Sequence, residues 1–178
     1  TGEYADLGYV TGSVPVNIDD AVVQGAELAG RWQFAERFGL RANYTYTDSE
    51  QKSGPSAGLP LGNSARHMAN ATVDWQASDH FSMFLSAELR SRRYRGVDAT
   101  TGEPQYWKDY EVLHLGASYR FAEWVTLNAR INNLLDRDFT SYEYSFLDNG
   151  GSWTLSAQDD YNNKDKARNI WVSLNFSF

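Results

Sequence analysis

The sequence predicts an all-β chain: an antiparallel transmembrane β-barrel fragment with short turns at one end and long loops at the other. Three observations predict it. Apolar and polar residues alternate with period two in one segment after another. Very short connections alternate with long polar ones. Aromatic residues make up 15 % of the 178 residues, with six Trp and eleven Tyr against two Met.

Successive side chains of a strand point to opposite faces, so alternation assigns each residue to a face. In chain order, the first segment sets Ala26, Leu28, Trp32 and Phe34 against Gly25, Glu27, Arg31 and Gln33. The second sets Phe38, Leu40, Ala42, Tyr44 and Tyr46 against Arg41, Asn43, Thr45 and Thr47. The third sets Ala69, Ala71, Val73 and Trp75 against Asn70, Thr72, Asp74 and Gln76. In the fourth, Phe81, Met83, Leu85, Ala87 and Leu89 oppose Ser82, Ser86, Glu88 and Arg90, with Phe84 breaking the rule. The fifth opposes Leu113, Leu115, Ala117, Tyr119 and Phe121 to His114, Ser118 and Arg120. The sixth opposes Val125, Leu127, Ala129 and Ile131 to Thr126, Asn128, Arg130 and Asn132. The terminal strand, 168–178, opposes Ile170, Val172, Leu174, Phe176 and Phe178 to Asn169, Trp171, Ser173, Asn175 and Ser177. The count is about seven strands, with room for an eighth between Tyr4 and Asp19.

The links near Ala35–Phe38, Ala77–Phe81 and Phe121–Val125 are very short, whereas the stretches 48–66, 96–109 and 139–167 are long and rich in Gly, Ser, Asp, Asn and Thr. Compact soluble folds rarely hold loops beyond about 12–15 residues. Outer-membrane barrels combine short periplasmic turns with long extracellular loops. The apolar faces carry small or aliphatic residues in mid-strand and rings towards the ends, while Arg, Glu and Asp occupy the opposite faces. That arrangement suits lipid outside and a polar lumen inside.

Other classes are constrained by composition. No stretch approaches the roughly 18 uninterrupted apolar residues of a membrane helix, and mean hydropathy is −0.56, which is blind to strands of about 9–11 alternating residues. A net charge of −7 without a basic cluster disfavours nucleic acid as a partner. Without cysteine, disulfides and thiolate metal sites are absent. The start TGEYADLGY has no Met, basic region or apolar run, as expected of a fragment or a processed chain. Periodicity alone leaves two rivals open. A self-contained eight-stranded membrane barrel with a structural or adhesive role needs Tyr4–Asp19 to supply an eighth strand that closes on the terminal strand. A soluble lipocalin-like binding module reverses the faces, with apolar residues around a cavity.

Four ordered stretches carry a family resemblance. Ala21 to Leu28, preceded by Asn17, reads as an N…A…GxE strand; Leu40 to Asp48 reads LRANYTYTD; Ile131 to Phe139 reads INNLLDRDF, with Phe139 in place of a usual Tyr; Ala167-Arg168-Asn169 enters the terminal strand with Ala in place of a usual Gly. In sequence and order these resemble the C-terminal barrel portion of TonB-dependent outer-membrane receptors of the siderophore-receptor type. The resemblance implies that residues 1–178 are the last seven or eight strands of a plugged barrel of about 22 strands. It also implies an outer-membrane address in a Gram-negative cell and import of a scarce nutrient, most often a ferric siderophore. The energy would come from the TonB complex, through a Ton box and plug that this stretch does not include. The terminal aromatic Phe178 is similar to the signal read by the barrel-assembly machinery. No cofactor is implied.

Candidate residues fall into two groups. Arg90, Arg92, Arg93 and Arg95, with Tyr94 and Trp107, gather at the outer rim, where guanidinium and ring could grip an anionic ferric chelate. The structural alternative is pairing with loop acids or lipopolysaccharide phosphates. Glu27, Arg31, Asp74, Glu88, Arg120 and Arg130 point to the polar side and are expected to form a network with one another and with the plug. His67, His80 and His114 are isolated, without HxxxH or HExxH spacing, so no metal site is expected. Asp136 and Asp138, and Asp159, Asp160 and Asp165, lack the Gly and distant Glu of a calcium loop and read as solvated acids. Nothing resembles a catalytic triad or nucleophile elbow, so no enzyme is expected.

Overall fold

A computed structural model describes residues 20–98, 101–138, 142–147, 152–157 and 167–177, in 142–147 and 152–157 for the backbone only. Seven strands form one antiparallel sheet: β1 (Ala21–Ala35), β2 (Phe38–Gln51), β3 (His67–Gln76), β4 (Phe81–Arg90), β7 (Tyr110–Ala122), β8 (Val125–Asn132) and β11 (Asn169–Phe176), in the order β1-β2-β3-β4-β7-β8-β11. Two hairpins stand apart, β5 (Arg93–Val97) with β6 (Pro104–Trp107) and β9 (Tyr142–Leu147) with β10 (Ser152–Ala157). Among the described residues β1 and β11 are edges, so the sheet is open. The proposed strand between Tyr4 and Asp19 lies outside the described residues, as does Phe178.

Cross-strand register converts alternation into two continuous surfaces, because directly opposed residues share a face. One apolar row runs Trp32–Leu40–Val73–Leu85–Leu115–Ile131–Ile170 across all seven strands. Exposure is highest at the edge strands, 65 % at Trp32 and 70 % at Ile170, and Leu85 in mid-sheet is still 42 % exposed. Leaving a row of this length in water would be unfavourable by roughly 25 cal/mol per Å2 of apolar surface, so it marks the face that lipid covers.

The matching row on the other face runs Gln33–Gly39–Asp74–Phe84–Gly116–Arg130–Trp171. Here the sheet is concave. Arg31, Arg41, Asp74, Phe84, Ser118, Arg130 and Trp171, from all seven strands, line one hollow of about 690 Å3. Every strand thus brings a residue of this face to the hollow, with Leu40, Trp75 and Met83 of the other set also at its wall. Phe84, the exception to alternation, fits the same geometry. A Cβ built on Gly116 would lie 2.1 Å from Phe84 Cε1, so the ring occupies the space over the glycine opposite it.

The short-turn end is tied by rings and turn carbonyls. Phe34 stacks on Phe38 and Phe38 on Trp75, at centroid distances of 5.7 and 5.8 Å, and Trp124 stacks on Phe176 at 6.2 Å. Arg37 donates to the Ala77 carbonyl, and Arg120 donates to the Asp79 carbonyl at 2.7 Å. Amphipathic rings prefer the membrane–water boundary, and this belt sits where the strands end.

Candidate functional site

At the long-loop end the chain builds a platform. The β5–β6 hairpin pairs Arg93 with Trp107 and Tyr94 with Tyr106. Asp98 forms its turn, with Oδ1 accepting from the Thr101 amide at 2.9 Å and Gly102 at φ 76° in the left-handed region. The loop after β2 folds against it: the Asn63 amide donates to the Tyr94 carbonyl at 2.9 Å, and Ala65 bridges to Arg93. Side chains pin that loop to β2, since Gln51 Nε2 donates to the Pro60 carbonyl at 2.7 Å and Ser49 Oγ accepts from the Leu61 amide at 3.1 Å.

The structure brings Arg92, Tyr94, Arg95 and Trp107 together on and beside this hairpin. The Arg92 guanidinium lies 4.4 Å from the centroid of the Tyr106 ring, and that of Arg95 lies 4.5 Å from Trp107. Each cation sits over a ring at cation–π distance. Partial burial holds the Arg95 pKa below its ordinary value, yet the group stays charged at any physiological pH. Tyr94 is 3 % exposed, edge-on to Tyr106 at 5.9 Å, and supports the hairpin from beneath. Arg93 is buried. Arg90 stays on β4, its Nε 3.4 Å from Glu88 Oε1, which also accepts from the Tyr110 hydroxyl at 2.8 Å. Tyr106 was missed as a site residue; its signal was the pair Tyr106-Trp107 at a predicted rim rich in arginine.

The expected lumen residues all lie on the polar face, but they do not join into one network. Asp74 pairs with Arg41 through two bonds, Nε–Oδ2 and Nη2–Oδ1, both at 3.0 Å. Arg41 was read only as a polar-face residue; its partnership depends on register, which alternation does not supply. Glu88 pairs with Arg90 and Tyr110, and Arg120 with a turn carbonyl. Arg31 stands directly opposite Arg41, and Arg130 opposite Trp171, on the wall of the hollow.

The part of the INNLLDRDF stretch that is described, residues 131–138, is tied together by side-chain hydrogen bonds. Asn133, 0 % exposed and at φ 49°, accepts from the Arg137 amide and donates to the Arg137 carbonyl, both at 2.9 Å. Asp136 Oδ1 accepts from the Arg168 amide at 3.0 Å, and its other oxygen lies 3.7 Å from the Arg168 guanidinium. Thus the Asp of this motif fastens the entry to the last strand. Among the described residues no group of three or more His, Asp or Glu is placed to hold a metal. Asp159, Asp160 and Asp165 lie outside the described residues.

Residues 3–134 match the family described as TonB dependent receptor-like, beta-barrel. The chain is 31 % identical over 140 residues to the iron-regulated outer membrane virulence protein of Vibrio cholerae, covering 79 % of this chain and 22 % of that protein. It is 27 % identical over 127 residues to the ferric enterobactin receptor of Pseudomonas aeruginosa, covering 68 % and 17 %. Its fold superposes on a crystal structure of the ferric enterobactin receptor from Pseudomonas aeruginosa with a TM-score of 0.66 at 24 % identity, covering 91 % of this chain and 23 % of that one. The chain spans about a fifth of the length of the relatives it matches.

Proposed function

The chain belongs to the TonB dependent receptor-like β-barrel family, and on that premise we propose that it forms seven strands of an outer-membrane receptor that binds and imports a ferric siderophore. Its address is the Gram-negative outer membrane. The function is binding and transport, without covalent chemistry at this stretch. The TonB complex supplies energy through a plug and Ton box encoded elsewhere in the receptor.

The observation that carries this reading is the pair of guanidinium groups over rings at the long-loop end of a sheet whose strands all reach one hollow. Arg95 on Trp107 and Arg92 on Tyr106 offer a planar, positively charged surface. Such a surface matches a flat, anionic aromatic chelate through charge-assisted bonds and stacking. Relatives named for iron regulation and for ferric enterobactin support the choice of ligand class. On this reading Arg90 and Tyr94 act from behind, Arg90 by holding Glu88 and Tyr94 by holding the hairpin.

The test is uptake of radiolabelled iron as ferric catecholate in iron-starved cells that carry or lack the complete receptor. Receptor-dependent and TonB-dependent uptake is the expected result. Exchange of Arg95 and Trp107 for alanine should weaken binding about tenfold, in line with the roughly 1.4 kcal/mol that separates tenfold steps. Equal uptake with and without the receptor, across catecholate and hydroxamate chelates alike, would overturn the proposal. A second check lies in the gene: the reading frame upstream should encode a plug and a Ton box.

A further inference from the structure

We propose that the Asp136 carboxylate sets the register of the terminal strand β11 on β8, by barring a slip that the apolar pattern of the two strands permits. The inference uses the barrel fold alone and holds whichever chelate the receptor imports.

Alternation leaves this register under-determined. In the observed pairing Ile170 lies opposite Ile131, Val172 opposite Ala129, Leu174 opposite Leu127 and Phe176 opposite Val125. A slip by one residue would turn the apolar side chains of β11 to the polar face, and the pattern forbids it. A slip by two residues, about 7 Å along the strand, keeps both faces. Moved towards the long-loop end, β11 would set Val172 against Ile131, Leu174 against Ala129 and Phe176 against Leu127. Moved towards the short-turn end, it would set Ile170 against Ala129, Val172 against Leu127 and Leu174 against Val125. Both are apolar on apolar.

The two ends of β11 guard against different slips. At the short-turn end Trp124 stacks on Phe176 at 6.2 Å. A downward slip would bring Leu174 to that ring and lose the stack. An upward slip would bring Phe178, a second aromatic, and keep it. At the long-loop end Asp136 Oδ1 accepts from the Arg168 amide at 3.0 Å, with the other oxygen 3.7 Å from the guanidinium. An upward slip would bring Ile170, which has no cation and whose amide belongs to the strand ladder. A downward slip would bring Lys166, a cation again. Trp124 therefore discriminates against the downward slip and Asp136 against the upward one. Asn132, whose Nδ2 donates to Asn169 Oδ1 at 2.8 Å, supports the observed pairing.

Asp136 can act as a fixed stop because its loop is anchored away from β11. The Leu134 amide donates to the Leu113 carbonyl of β7 at 2.7 Å, and Arg137 Nη2 donates to Glu111 Oε1 at 3.1 Å. Asp136 itself sits at φ 53°, a left-handed conformation that Asp tolerates better than most residues. Among the described residues β11 pairs with β8 alone. Any strand joined to its second edge inherits the register fixed here, and with it the stagger of the barrel.

The experiment is disulfide trapping in the complete receptor, freed of other cysteines and assembled in cells. Asn128→Cys with Ser173→Cys reports the observed register. Asn128→Cys with Asn175→Cys reports the upward slip, and Thr126→Cys with Ser173→Cys the downward one. With Asp136 in place, the first pair should cross-link at least about tenfold more than either other. Asp136→Gly removes the carboxylate and leaves the left-handed φ unstrained. It should raise the upward pair about tenfold relative to the first and leave the downward pair at background. Arg168→Pro, which removes the amide donor, should give the same shift, and decides the matter if the glycine variant yields no assembled receptor. Trp124→Ala should raise only the downward pair, about threefold. Asp74→Asn, on the lumen wall, should change neither. Unchanged ratios in Asp136→Gly, an equal rise of both slipped pairs, or the same shift in Asp74→Asn would each overturn the proposal. So would the absence of assembled receptor in both the glycine and the proline variants, since a shifted barrel is what is expected. A receptor that shows the shift yet imports no iron leaves this inference standing and removes only the uptake reading.

Discussion

At its short-turn end the sheet is finished by rings: Phe34, Phe38 and Trp75 stack in series, and Trp124 stacks on Phe176. At its long-loop end it is finished by hydrogen bonds within and between loops, through Asn63, Gln51, Asn133 and Asp136. The first end needs only to seat strands at a membrane boundary, and interfacial aromatics do so without fixed partners. The second must hold irregular backbone steady in water around a ligand rim, where each buried polar group needs a named partner. The ring end should therefore tolerate single changes, and the loop end should fail at particular atoms.

The largest expected effect lies in the stretch 131–138. Asn133→Ala leaves the Arg137 amide and carbonyl unpartnered in a buried turn and keeps a side chain at positive φ. A loss of about 3 kcal/mol in urea denaturation of the complete receptor is expected; a loss below about 1 kcal/mol would show that the loop end does not depend on it. Next is Gly25, the glycine of the GxE stretch. A Cβ there would lie 2.2 Å from the Tyr46 carbonyl oxygen, a backbone atom that cannot swing aside. Gly25→Ala should cost about 2 kcal/mol by prying β1 from β2.

Gly116→Ala sharpens the contrast, because its neighbour is the tip of the Phe84 side chain facing an open hollow. The ring can turn away, so the cost should be about 1 kcal/mol. Phe84→Ala should abolish that cost, and a double-mutant cycle measures the coupling. The smallest effect is at Asp74. Its pair with Arg41 is half exposed in an open lumen, and such pairs contribute little. Asp74→Asn should leave stability unchanged, and a clear drop would mean that the lumen wall is structurally demanding as well.

Much of this was legible in the sequence, and the reasons are physical. A strand exposed to lipid on one face must alternate, so all seven sheet strands, including Asn169–Phe176, could be read from periodicity. The hairpins could not be read that way: Arg93–Val97 and Pro104–Trp107 are too short, and much of their span lies in the stretch 96–109 expected to be loop. Asp98 with Gly102, and Asn149-Gly150 between β9 and β10, were turn signals that could have found them. The rim arginines were visible as a cluster, but their partners were not. Which cation lies on which ring, and that Tyr94 is buried, depend on pairing between segments far apart in sequence. The same holds for Arg41 with Asp74 and for Asp136 with Arg168.

The account depends on the orientation of the pleat, and β4 offers the most direct measurement. Single spin labels at positions 85, 86, 87 and 88 of a cysteine-free receptor in lipid bilayers would report collisions with oxygen and with a water-soluble nickel chelate. Positions 85 and 87 should relax with oxygen, and positions 86 and 88 with the chelate. The opposite alternation would place Leu85 in the lumen and Glu88 in lipid, and would contradict the account.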